Sequence, residues 1–307
     1  MATQEQVTTQ AVEYQSGWLT QMWALMRWNL FVAWRRLMSK IMLAILVIGY
    51  VLIVGVEYLV YRVSSPEVAA QFSPTLSFPL AMGSAQSYLG FLGPILLCVL
   101  AGAVLGSEYT YGTQRQQLGR GLSRVQVLTA QIVAMAVIAL FTAVFMFILS
   151  TLVGITLGPV TGTPIKALTM TQWEGILFYW LAAAVHLFIY MLIAMFMATL
   201  GKSVIAGIAF SLGIIVVEGI LSTVFNFLAL AFRNSQFSEF LANVPKWLPG
   251  SGGSTLTTAA AQMIDSSGQT AALSSTDVWQ GVTAVLIYAI VLIAASYLFY
   301  TSRDLAE

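Results

Sequence analysis

Two ionisable side chains lie inside long apolar runs, where a lipid bilayer would penalise their charge. Glu218 follows Ser203 by 15 residues, and His186 precedes Leu200 by 14 residues. If these runs are antiparallel helices joined by a short turn, the two side chains lie at similar depth, because each residue adds about 1.5 Å of helix. A carboxylate at mid-membrane costs about 2.5 to 3.5 kcal/mol and normally faces the protein interior or a wet cavity.

This spacing is compatible with a direct His186–Glu218 pair, or with two polar groups along a substrate path. The alternative is a protonated Glu218 with only a structural role, hydrogen-bonded to a neighbouring hydroxyl or carbonyl. A separation of more than about 6 Å between the two side chains would exclude the pair, because a direct interaction needs closer contact.

A second group of polar side chains separates two of the longest apolar runs. Residues 106–124 read Gly-Ser-Glu-Tyr-Thr-Tyr-Gly-Thr-Gln-Arg-Gln-Gln-Leu-Gly-Arg-Gly-Leu-Ser-Arg. We predict a short helix over about 112–118, after which Gly119 and Gly121 turn the chain. Its amide and guanidinium groups suit hydrogen bonding to a partner protein, and the alternative is a solvated loop without a partner. The candidate donors are Gln114, Arg115, Gln116, Gln117 and Arg120.

Patterns for enzyme chemistry are missing from the sequence. Gly201-Lys202-Ser203 resembles the end of a phosphate-binding loop, but that motif needs a glycine where the chain has Phe196. One histidine excludes a multi-histidine metal site within the chain, and one cysteine, Cys98, excludes an internal disulfide. We therefore expect no enzymatic activity, metal or cofactor in this chain.

The composition predicts an all-α integral membrane protein. Hydrophobic residues make up 59% of the chain and charged residues only 8%, too few to cover a water-exposed surface. The net charge of +1 gives no general attraction to nucleic acid. Runs of membrane-spanning length predict six helices. They cover about 41–61, 86–106, 125–157, 174–200, 204–232 and 278–301.

The remaining segments flank or connect these spans. Residues 1–17 are predicted to be a cytosolic tail, and residues 18–38 an amphipathic elbow helix in the headgroup layer, because tryptophans recur along it. A cytosolic extension of the first span is the alternative for the elbow. The segment 233–277 is predicted to form short helices and loops on the outer side. Gly102 and Gly106 would permit close approach of another helix and are candidates for a dimer contact.

Positive charge predicts the orientation of the spans. If the N-terminus is cytosolic, nine lysines and arginines lie on the inner side and four on the outer side. The positive-inside rule therefore favours two cytosolic termini and a cytosolic segment 106–124.

The same polar segment carries a family resemblance. Glu108-Tyr-Thr-Tyr-Gly-Thr-Gln-Arg115 followed by Leu122-Ser-Arg124 resembles the signature after the second span of ABC transporter permeases of the ABC-2 type, which have the ABCG-like type V exporter architecture. The tryptophan-rich elbow, the six spans, the long connection before the last span and the ending 299–304 are also similar. The sequence departs from this pattern at Gln131, where such permeases often carry a lysine.

The resemblance implies a half-transporter in the cell membrane. Two permease subunits, either identical or similar, would flank a path formed by the second and fifth spans, and His186 and Glu218 would lie along it. Two separate ATPase chains would bind ATP and Mg²⁺ and dock on a coupling helix within 108–124. The residues implied in ATPase binding are Glu108, Tyr109, Tyr111, Gly112, Thr113, Arg115, Gln116, Arg120 and Arg124.

Two further functions fit the sequence. A self-contained secondary transporter would use Glu218 as its proton site and would need no ATPase. A membrane anchor or sensor subunit would bind partners through Arg115 and Arg120 without moving a substrate. The sequence does not identify the substrate.

Overall fold

The protein is helical throughout the part of the chain that the structure, a computed structural model, describes. This part comprises residues 17–119, 121–163, 168–233, 237–264 and 275–302, and it contains no strand. Its helices are α1 (Trp18–Arg35), α2 (Leu37–Val63), α3 (Pro66–Phe72), α4 (Ala81–Thr110), α5 (Thr113–Gly119), α6 (Arg124–Val160), α7 (Met170–Gly201), α8 (Val204–Ala231), α9 (Phe237–Asn243), a short 3-10 helix (Pro245–Trp247), α10 (Pro249–Ile264) and α11 (Ser275–Ser302).

Within these ranges, six helices are long and apolar enough to cross a membrane, namely α2, α4, α6, α7, α8 and α11. This finding confirms the predicted all-α class with six candidate spans. Each predicted span corresponds to one observed helix, and most of the helices extend a few residues beyond the predicted limits. The predicted tail lies almost wholly outside the described residues.

Local sequence explains where several spans begin. Ser123 and Gln126 form a reciprocal capping box at the start of α6, and Thr169 and Gln172 do the same for α7. The Ser203 hydroxyl accepts a hydrogen bond from the Ala206 N–H at the start of α8. Each cap satisfies backbone N–H groups that have no partner within the helix.

Helix α7 is the centre of the bundle. It packs against α4, α6, α8, α10 and α11, and most of its length is buried, whereas α2, α8 and α11 each expose a broad apolar face. A helix that is apolar all round suits a central position. The exposed faces suit contact with lipid.

Contacts between helix ends show that the spans alternate in direction. Arg36, just before α2, hydrogen-bonds Ala103 near the end of α4, and Arg124 at the start of α6 hydrogen-bonds Thr301 at the end of α11. These contacts define what we call the 106–124 end of the bundle. At the opposite end, the Tyr61 hydroxyl donates to the Thr161 carbonyl. The arrangement agrees with the predicted alternation, while the side that faces the cytosol stays a prediction.

Helix α1 is separate from the first span. Arg36 has an extended backbone (φ −69°, ψ 132°) and divides α1 from α2. Met26 of α1 packs against Ala130 and Ala134 of α6. The tryptophans of α1 lie on its exposed side. The position of α1 in the headgroup layer stays a prediction.

Helix α10 lies within the segment 233–277, for which short helices and loops were predicted. It packs antiparallel to α7, so that Gly253 lies against His186 and Gly175 lies against Met263, while its location on the outer side stays a prediction. Its glycines make this close approach possible, because a Cβ atom at Gly253 would lie 2.0 Å from His186 Nδ1. Its first turn therefore reaches the middle of α7, far from the end where the connection begins.

Candidate functional site

Glu108 lies at the junction between α4 and the polar segment. Its Oε2 accepts a hydrogen bond of 2.5 Å from Gln131 Nε2 on α6. The Arg36 guanidinium is close enough to act electrostatically on Glu108, and it donates to the Ala103 carbonyl at 2.9 Å and to Ser107 Oγ at 2.6 Å. Charge-assisted bonds of this kind are stronger than neutral ones. Together they join the end of α4 to α6 and to the start of α2.

Gln131 was noted in the sequence only as a departure from the ABC-2 pattern. The structure shows that its amide is the hydrogen-bond partner of Glu108, a role that a lysine could fill with a charged donor. The two residues are 23 positions apart on different helices, so sequence periodicity carried no signal of their contact.

A tight turn connects α4 to α5. Gly112 has φ +66°, in the left-handed region that favours glycine, and a Cβ atom there would meet nothing within 4 Å. Thr113 Oγ1 donates to the Glu108 carbonyl at 3.3 Å across this turn. The predicted short helix is thus present as α5, one residue shorter at its start and one longer at its end than proposed.

The residues implied in partner binding differ in accessibility. Tyr111 is 77% exposed and Gln116 is also exposed, whereas Gln114 is only 2% exposed and lies beside Glu108 and Tyr109. The Arg115 side chain and Arg120 lie outside what the structure describes. The accessible surface of the segment therefore includes Tyr111 and Gln116, and Gln114 supports the segment from within.

Arg124 contacts the end of α11. Its Nη1 donates to the carbonyls of Thr301 at 3.0 Å and Tyr300 at 3.5 Å. A cation at the carboxyl end of a helix satisfies carbonyls that lack partners and complements the helix dipole. Arg124 was implied in ATPase binding, but in the structure it links the start of α6 to the end of the last span.

A second candidate site is a cavity of about 750 Å³ between α4, α7, α8 and α10. It lies between the middle of the bundle and the end opposite 106–124. Both predicted path residues, His186 and Glu218, line it, together with Gln86, Tyr190 and hydroxyl groups of α10. We call it the central cavity.

Glu218 binds the first turn of α10. The Tyr190 hydroxyl donates to Oε2 at 2.5 Å, and the Gly250 N–H donates to Oε1 at 2.5 Å. Free N–H groups at a helix start attract negative charge. The carboxylate thus caps a helix that begins inside the bundle, and it satisfies polar groups that would otherwise be buried without a partner.

The direct His186–Glu218 pair is not present. Among the described residues, no hydrogen bond or ion pair joins them, and His186 Nδ1 has no hydrogen-bond partner. Tyr190 connects them instead, since its ring contacts the His186 ring edge-to-face with centroids 5.3 Å apart. Sequence reasoning predicted a hydroxyl partner for Glu218 but could not identify Tyr190 or Gly250.

Gly102 and Gly106 are covered by α8 of the same chain. A Cβ atom at Gly106 would lie 2.5 Å from Val204 Cα, and one at Gly102 would lie 2.8 Å from the Ile208 nitrogen. The predicted close approach of a helix is therefore present, but the helix belongs to the same chain. These two glycines do not offer a surface to a second copy.

Acidic, histidine and cysteine side chains are sparse in both regions. Across the described ranges, no three of them lie close enough together to hold a metal ion.

Comparison with known proteins identifies the family of this chain. No curated protein matches the chain at a significant level. A family model described as a protein of unknown function, DUF2705, matches residues 41–306, which include all six candidate spans except the first few residues of α2. The chain therefore belongs to the DUF2705 family.

Proposed function

We propose that the chain is the transmembrane permease subunit of an ATP-driven exporter of the ABC-2 type. The observation that carries this proposal is α5, a short helix with accessible side chains, held between two long apolar helices. An external protein that contacts α5 would act directly on both helices. The ATPase, with its ATP and Mg²⁺, is a separate chain that docks at the 106–124 end, and this chain itself is not an enzyme.

The hydrogen bonds around Glu108 support a mechanical role for this end. A force on α5 passes to α4 through the Gly112 turn and to α6 through Glu108 and Gln131. Arg36 connects the same point to α2. Because polar contacts of this kind have defined geometry, displacement of α5 moves the helix ends together rather than stretching a loose loop.

Helix α4 in turn contacts α8 through Gly102 and Gly106, where the two backbones approach closely. Both helices also line the central cavity. The other half of α4 forms part of the cavity wall. Movement of α4 at the 106–124 end therefore also displaces that wall. Alternating access follows if two such subunits, in a cell membrane with cytosolic termini, are driven by a pair of ATPases.

Copurification tests the proposal. When the tagged full-length chain is extracted from its native membrane and purified, an ATP-binding protein should copurify with it in an amount equal to that of the chain. Tyr111→Ala combined with Gln116→Ala should lower that recovery about fivefold, because loss of a central interface contact typically costs about 1 kcal/mol or more. Met170→Ala is the matched control, since Met170 is 73% exposed at the opposite end of the bundle. Recovery of no ATP-binding protein, or equal loss in the control, would contradict the proposal.

A proton-coupled secondary transporter is the second candidate, because Glu218 places a carboxylate in the wall of a cavity within the bundle. In that case the purified chain in proteoliposomes should transport substrate when a proton gradient is imposed and no ATPase is present. Glu218→Gln should abolish this substrate flux. The capping role of Glu218 favours the first proposal, since it accounts for a buried carboxylate without proton movement.

A further inference from the structure

We propose that the central cavity binds an amphiphilic organic ammonium ion, whose charged nitrogen donates a hydrogen bond to Glu218. The inference depends on which hydrogen-bonding groups of the cavity are already used. The interpretation of this ammonium ion as a transported substrate rests on the proposed permease function, whereas its binding rests only on the structure of the cavity.

Most hydroxyl protons around the cavity are already engaged, those of Ser222 and Ser251 excepted. A hydroxyl group has one proton to donate, so its remaining capacity is to accept. Tyr190 donates to Glu218, and Tyr179 points its hydroxyl at the Met82 carbonyl. The other engaged donors bond to helix carbonyls, and they are Ser87, Ser254, Thr257 and Thr258.

Backbone donors at the start of α10 are engaged as well. Its N-terminal N–H groups, which would otherwise attract an anion, point at Glu218, and Gly250 bonds to it at 2.5 Å. An anionic ligand would therefore have to displace a carboxylate that is fixed to α8. The helix start does not make this cavity an anion site.

The Glu218 carboxylate, in contrast, keeps free acceptor capacity. Gln86 is 8% exposed and lines the cavity, but its Oε1, which has no hydrogen-bond partner in the described part of the chain, is itself buried. Each Glu218 oxygen accepts one bond from the groups above and has a further lone pair. No lysine or arginine is among the described residues that line the cavity. His186 Nδ1 is also unpartnered, but Gly253 of α10 covers it, so we do not assign it to the ligand.

The remaining walls set the size and character of the ligand. Phe91, Pro94 and Ile95 of α4 face Ile215 of α8 and Ala261 of α10 across a cavity of about 750 Å³. Cavities of about 300 to 1,000 Å³ suit small organic molecules. Free acceptors beside apolar walls favour a molecule with an apolar body and a donor-bearing cation over an inorganic ion, which would leave most of the volume unfilled.

The first test compares two probes on the unmodified protein. Dansylcadaverine has an apolar fluorescent group and a primary ammonium, and its N-acetylated form keeps the shape but loses the charge. We expect the ammonium form to bind the purified full-length chain in nanodiscs about 10- to 100-fold more tightly, by fluorescence anisotropy. Equal affinity of the two forms would overturn the proposal, as would tighter binding of an anionic dansyl probe.

Variants then locate the site. Glu218→Gln keeps an acceptor for Gly250 but removes the charge, and it should weaken dansylcadaverine binding about 10-fold or more. Glu57→Gln is the matched control, since Glu57 is a half-buried carboxylate on α2 outside the cavity. Unchanged affinity in Glu218→Gln, or an equal loss in the control, would refute the assignment.

This assay contains no ATPase, so its outcome is separate from the copurification test. Loss of the ammonium preference would leave the ATPase partnership standing with a different ligand class. Absence of an ATPase would leave an ammonium-binding membrane protein of another kind.

Discussion

The contact between α4 and α8 allows one prediction to be worked out from distances. A Cβ atom added at Gly106 would lie 2.5 Å from Val204 Cα and 2.6 Å from the Val204 nitrogen. Ordinary contacts begin at 3.4 Å, and the neighbouring atoms belong to backbone that cannot rotate away. Gly106→Ala should therefore push the two helices apart by about 1 Å at this crossing.

The expected cost follows from overpacking. Inserting a methyl group into a well-packed contact typically costs about 1 to 3 kcal/mol. Replacing glycine by alanine within a helix returns about 0.5 to 1 kcal/mol. We therefore expect Gly106→Ala to lower the free energy of unfolding by about 0.5 to 2 kcal/mol.

Gly90→Ala on the same helix is the matched control, because a Cβ atom there would meet nothing within 4 Å. It should leave stability unchanged or raise it by up to about 1 kcal/mol. The free energy of unfolding can be measured by titrating SDS into mixed micelles and following helicity by circular dichroism. Equal stability of the two variants would refute the close α4–α8 contact and return Gly106 to the candidates for an interface with a second copy.

Two further predictions concern helix ends, and both can be measured by amide hydrogen exchange. Glu218→Ala leaves the Gly250 N–H and the Tyr190 hydroxyl without an acceptor, at about 1 to 3 kcal/mol each, so exchange in the first turn of α10 should rise well above that in Glu218→Gln. Equal α10 protection in the two variants would show that the carboxylate does not hold this helix. Gly112→Val forces a β-branched residue into the left-handed region, at a cost of about 1 to 2 kcal/mol. Amide exchange in α5 should therefore rise about 5- to 30-fold. Gly112→Asn should preserve the turn, because asparagine tolerates this region. Indistinguishable exchange in the Val and Asn variants would remove the need for glycine at this turn.

The six spans could be predicted because membrane helices must satisfy two simple requirements, length and apolar composition. The position of α10 could not be predicted from the sequence. Its glycines, serines and threonines give a polar composition, which in water indicates a surface segment. In the structure, hydroxyls such as those of Ser254 and Thr258 bond back to carbonyls of their own helix, so the helix presents fewer free donors than its sequence suggests.

The candidate site was predicted only in part for a related reason. Glu218 was identified because an acidic residue in an apolar run is unusual, and its depth followed from counting along antiparallel helices. Its partner Gly250 contributes a backbone N–H, which every residue other than proline has, so no side chain marked the contact. The glycine pair on α4 likewise indicated a close helix approach without showing whether the neighbour belonged to the same chain.

The bond from Arg124 to Thr301 has a practical consequence for measuring motion. It fixes the end of the last span to the beginning of α6, so a fluorophore attached at Ser302 would report displacement of that junction. The sequence has one natural cysteine, Cys98, which is buried and donates its thiol hydrogen to the Tyr190 carbonyl. A cysteine introduced at Ser302 would therefore be the accessible thiol, and the native protein would serve as an unlabelled reference.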